Sequence, residues 1–131
     1  MRELIQTVVT NFYKKAINDV LIGYHFRKFE DQEVLEKHLV RLTSFWEMQL
    51  TGTTSVPVDH GFRLLFTHYQ LNLKRGELGR WIVLFHQTLD ELQDEVQAEI
   101  NHPNIPVFCE AFKQRIALFE QKFLTAPNLF K

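Results

Sequence analysis

Six histidines, one cysteine and a scatter of carboxylates are the side chains of this 131-residue chain from which chemistry could be built. A neutral imidazole can ligate a metal, move a proton, or simply sit satisfied in a core or in water, so each histidine is sorted by its neighbours. His38 shares a face with Leu35, Leu39 and Leu42, and His68 follows Leu64 by four residues and Leu65 by three. Both therefore project from the apolar side of a helical pattern. There an imidazole is either bonded to a backbone carbonyl or aimed at a bound metal or cofactor. His25 and His60 fall in connections, His86 lies between Phe85 and Gln87, and His102 precedes Pro103. These four read as solvated. Cys109, beside Phe108 and Phe112, reads as a buried and inert thiol, and a lone cysteine excludes an internal disulfide and a Cys-x-x-Cys-His attachment.

Several enzyme constellations are missing. A di-iron bundle needs Glu-x-x-His on two helices, and the sequence offers only Glu99 to His102, at a helix end next to Pro103. His-Glu-x-x-His, Gly-x-Ser-x-Gly, the phosphate-binding loop, the dinucleotide glycine fingerprint and zinc spacing are all missing too. Glu91, Asp94 and Glu95 fall on the outer side of their helical stripe and read as a solvated face.

The elements that must position His38 and His68 follow from apolar periodicity. Leu4, Val8, Phe12, Ala16 and Ile5, Val9, Tyr13, Ile17 form adjacent columns spaced by four, an amphipathic helix. Leu35, Leu39, Leu42, Trp46 and Leu50 predict a second helix over residues 32–50, with Gly52 as its stop. Pro57 is placed to open a shorter one in which Phe62, Leu65, Phe66 and Tyr69 share a face. Leu78 to Ile100 keeps helical spacing for over twenty residues, until the Asn101 to Asn104 turn breaks it. Ile105, Phe108, Phe112, Ile116, Phe119 and Phe123 give the last helix, ending before Pro127. No period-two pattern competes, so the expected fold class is all-α, one domain over residues 1–131.

Composition narrows the function. The chain is 45% hydrophobic and 24% charged with a net charge of −1, the two signs intermixed, so neither nucleic acid nor an anionic membrane is an expected partner. The longest apolar run, Trp81 to Phe85, is five residues, far short of the ~20 that span a bilayer, and Met1-Arg2-Glu3-Leu4 opens no leader pattern. A cytoplasmic location is the expectation. Twelve phenylalanines and two tryptophans fill a core, and would also suit a flat aromatic cofactor.

Asn11-Phe12-Tyr13, Glu36-Lys37-His38 followed seven residues later by Phe45-Trp46, then His68, and Trp81 to Phe85 thirteen residues beyond it, stand in an order and spacing that resembles the truncated haemoglobins, in particular their third group. The likeness runs from about residue 4 to residue 120. It implies a two-over-two helical sandwich around a non-covalent haem b. His68 would be the proximal iron ligand, Tyr13, His38 and Trp81 would line the distal side, and Phe26 would pack on the haem edge. Leu42 would be a distal apolar contact and Arg41 would reach a propionate. The function implied is binding of diatomic gases (O2, NO, CO), with nitric oxide dioxygenase or peroxidase-like turnover and a reductase partner as extensions. A helical His68 could also donate its second N–H to the Leu64 carbonyl, fixing the tautomer.

Two departures from the family pattern stand out. The stretch from Trp46 to His68 is about four residues longer and keeps only Pro57 of the usual turn. Glu77 occupies a position where the family often has histidine. His60 is the rival proximal ligand, but its distance from Trp81 fits less well. Two other readings stay open: a haem-free globin-like protein that binds a partner or a small apolar molecule, and a helical interaction module without a cofactor.

Overall fold

The computed structural model describes residues 2–56, 67–68, 70–100, 104–126 and 129–130, with residues 96–100 described as backbone. The helix expected after Pro57, with His60 and Tyr69, and the turn around His102 lie outside the described residues, as does Pro127.

Helix α1 spans Arg2–Ile17 and buries Ile5, Val8, Val9, Phe12, Tyr13 and Ala16, the face that the two columns of four define. Asp19 ends it with a tight turn, its carboxylate accepting from the amides of Leu21 (3.0 Å) and Ile22 (3.2 Å). A 3-10 helix, η1, follows over Gly23–Glu30. Gly23 is required at its start: a Cβ there would lie 2.8 Å from the carbonyl oxygen of Ile17, which backbone cannot yield cheaply. Asp31 then caps α2 (Gln32–Thr51), accepting from the amides of Glu33 and Val34. Gly52, at φ 82°, stops α2 in the left-handed conformation, its N–H bonded to the Met48 carbonyl, as its position predicts.

Helix α3 spans Arg75–Ile100 and begins three residues earlier than the apolar stripe alone suggests. Its start is fixed by Glu77, whose carboxylate reaches back to the Lys74 amide at 2.8 Å, one half of a capping box. Helix α4, Ile105–Thr125, carries proline in its first turn, where the missing N–H costs nothing.

Helix α1 packs on η1, α2 and α3, while α4 closes against α3 and α2. The core is aromatic at its centre: Trp46 lies 4.4 Å from Phe112 and Phe12 stacks at 4.3 Å on Phe85, ring centre to ring centre. Burying each such ring stabilises the fold by roughly 1.5–3 kcal/mol. One carboxylate is drawn into this interior. Glu47, 7% exposed, accepts from the Ser55 amide at 2.8 Å and from Arg2 at 3.1 Å, so it fastens both the start of α1 and the chain beyond α2. The described residues are helical apart from turns and a single β-bridge between Leu73 and Phe130, and no helix among them is long and apolar enough to cross a membrane.

Candidate functional site

Between α1, η1, α2, the segment 67–73 and the first turns of α3 the packing opens into a cavity. It holds about 1020 Å³ of empty space, part of it open to solvent, of which about 110 Å³ is wide enough for the centre of a water molecule. The space is therefore a narrow slot rather than a chamber. Its walls are apolar and largely aromatic: Phe12, Phe26, Phe29, Phe45, Trp81, Phe85 and Phe123 all face it, with Leu42 and Val9.

The sequence candidates converge there. Tyr13, Phe26, His38, Leu42, His68 and Trp81 all line this cavity. The Tyr13 hydroxyl and His38 Nε2 are 2.7 Å apart, a contact across 25 residues of chain. Tyr13 is buried and its ring meets Phe26 edge-on at 5.3 Å. Burial pushes the Tyr13 phenol far up, so it keeps its proton. Burial also pulls the His38 imidazole down, to about 4, helped by the charges of Lys28, Arg41 and His68. Both partners are thus neutral at neutral pH and share one proton along one line. Either Tyr13 donates to Nε2, or Nε2–H donates to the phenol oxygen and frees the Tyr13 proton for the cavity. His68 is half-buried, its ring 5.0 Å from that of Phe123. Trp81 meets Phe85 at 5.2 Å and Phe12 at 6.0 Å.

Arg41 is not brought to the cavity wall. It is half-buried beside His38, and the cationic side chain that does line the slot is Lys28, on η1. Helical periodicity places Arg41 one turn from His38 and directly before Leu42 but cannot say which of the three positions looks inward.

His25 departs from its expected solvated setting. Its side chain is 8% exposed, and Nε2 lies 3.0 Å from the Glu77 carboxylate, itself 11% exposed. The Tyr24 hydroxyl donates to the same carboxylate oxygen. Burial by itself would raise the Glu77 carboxyl, but the Tyr24 hydroxyl, the Lys74 amide and His25 together hold it below the usual range. No sequence signal pairs residues 52 apart, although the position of Glu77 at the third residue of a helix marks it as a cap. A second clamp fixes the turn between α1 and η1 to α3: Asp19 accepts from Arg80 at 2.6 and 2.9 Å.

The remaining candidates behave as single side chains. Cys109 is buried with its thiol pushed up by burial, close to the Leu89 carbonyl at 3.6 Å, which is the inert setting expected of it. Glu91 pairs with Lys15 on the exposed side of α3. Among the described residues no group of three or more His, Cys, Asp or Glu side chains could hold a bare metal ion. No protein-family model, curated protein or solved structure matches the chain.

Proposed function

We propose that this chain is a truncated haemoglobin of the third group, one domain built as a two-over-two sandwich, that binds haem b non-covalently through His68 in the cytoplasm and takes up diatomic gases. The observation that carries the reading is the meeting of His68, Tyr13, His38 and Trp81, spread over 69 positions of sequence, on one apolar slot. The donor set fits the group. A narrow, aromatic-walled slot suits a flat macrocycle, one imidazole would suffice on the protein side because the porphyrin would bring its own nitrogen ligands, and the absence of a three-ligand cluster among the described residues is then no obstacle.

When bound, haem supplies an iron that takes up O2, NO or CO and exchanges electrons with them. The chain's own residues do the rest. His68 would hold the cofactor through one ring nitrogen. Tyr13, its protonation secured by burial, presents a hydroxyl to the slot whenever His38 carries its proton on Nε2. Trp81 can only donate. Donors fixed in advance in a dry site stabilise developing negative charge more than solvated ones do. Three polar groups around one position exceed what storage requires, and this favours turnover of nitric oxide or peroxide with a reductase as partner.

The test is an absorption spectrum of the purified protein with haemin, reduced and then exposed to carbon monoxide, for wild type, His68→Ala and His60→Ala. Stoichiometric haem bands that His68→Ala alone abolishes are the expected result. A second reading, a haem-free globin-like protein binding a partner or a small apolar molecule, draws on the lengthened segment before His68 and on how little of the slot is wide. It takes the lead if wild type takes up no haem.

A further inference from the structure

The pairing of His25 with Glu77 leaves one nitrogen without a role. Glu77 also receives the Tyr24 hydroxyl and the Lys74 amide, and an ionised carboxylate can only accept, so in the neutral imidazole the hydrogen must sit on Nε2. Nδ1 is then a bare lone pair. Among the described residues it has no hydrogen-bond partner, although the side chain is 92% withdrawn from solvent and the residue lines the cavity. Among the described residues no sealed side-chain nitrogen or oxygen lacks a partner, so Nδ1 is not sealed off from contact. The Tyr24 ring centre lies 4.0 Å from that of the imidazole, the two planes tilted by 34°.

We infer that His25 Nδ1 is a proton-accepting site at the edge of the slot, oriented by Glu77, for a small aromatic molecule that carries an acidic hydroxyl. The aromatic walls, Phe26 and Trp81 among them, take the ring, and the lone pair takes the hydroxyl. The step balances simply. The O–H bond breaks with its electron pair left on the ligand oxygen, the proton joins Nδ1, and the resulting imidazolium is held against the Glu77 carboxylate at 3.0 Å. Glu77 acts through His25 and is a positioning residue. The inference concerns the slot while no haem fills it, because Phe26 and Trp81 are also the walls that the proposed function gives to the haem.

The probe is para-nitrophenol, whose ionised form absorbs visible light where the neutral form does not. Full-length protein free of haem is titrated at a pH where most free phenol is protonated, with an equal amount of the same preparation as reference. Wild type should bind it and generate the phenolate band. His25→Gln should lower the phenolate yield at least tenfold, and Glu77→Gln should lower it several-fold. Para-nitroanisole, which has the same ring but no acidic hydrogen, should bind wild type and both variants alike, and this shows that the cavity is intact in them. No phenolate band with wild type, or an equal band with His25→Gln, overturns the assignment. So does a loss of para-nitroanisole binding parallel to the loss of phenol, because the substitutions would then act on the cavity's shape.

Discussion

Replacing Tyr13 by phenylalanine removes one oxygen from the interior, and the structure fixes what that should cost. The hydroxyl lies 2.7 Å from His38 Nε2 and both groups are neutral at pH 7, so an ordinary rather than a charge-assisted hydrogen bond is lost. Such a bond contributes about 1 kcal/mol, and taking that contact from the half-buried His38 adds a cost of similar size, about 2 kcal/mol together. That is roughly a thirtyfold fall in the ratio of folded to unfolded protein. With a urea slope of about 1–3 kcal/mol per molar, the unfolding midpoint should drop by about 1 M. Because the two single changes each remove the same contact, Tyr13→Phe combined with His38→Leu should be less damaging than their sum, with a coupling of about 1 kcal/mol. Far-UV circular dichroism during urea unfolding of the four proteins measures this directly. An unchanged midpoint for Tyr13→Phe, or strict additivity in the double variant, would show that the two side chains do not interact in solution, and the donor role of Tyr13 would fall with them.

Acid should destabilise the protein in two separate windows. The His38 imidazole titrates near 6.5 when unfolded and near 4 when folded, so between those values the unfolded chain takes the proton first and stability falls as pH falls. His38→Leu should flatten that part of a melting-temperature profile, and a profile identical to wild type counts against the burial of His38. Asp19, held below 3.8 chiefly by its hydrogen bond to Arg80, contributes stability that is present above that value and lost below it, so Asp19→Asn should be the less acid-sensitive protein in the lower window even while it is less stable at pH 7. Gly23→Ala should lower the melting temperature and loosen η1, because the added methyl meets the Ile17 carbonyl at 2.8 Å and the Ala16 carbonyl at 3.3 Å. A Gly23→Ala protein as stable as wild type would mean that α1 and η1 separate at little cost.

The helices were legible because helical patterning is local. Spacings of three and four delimited α1, α2 and α4 to within two residues, and Gly52 announced the end of α2. The start of α3 was placed late, since Arg75 and Gly76 carry no apolar signal and the cap at Glu77 lies on the polar side. The same local logic put His38 and His68 on inward faces. What the sequence by itself determined is thus an all-helical chain with a given set of buried faces. Which faces meet was decided by the tertiary structure, through the turn at Asp19, the closeness that Gly23 permits and the Arg80 clamp. Those contacts carry η1 across to α3, bring His25 to Glu77, and put Lys28 rather than Arg41 on the cavity wall. Periodicity reports the angle of a side chain about its own helix axis. The partner it reaches depends on how the chain crosses itself, and for His25 and Glu77 that crossing spans 52 residues with no pattern between them to record it.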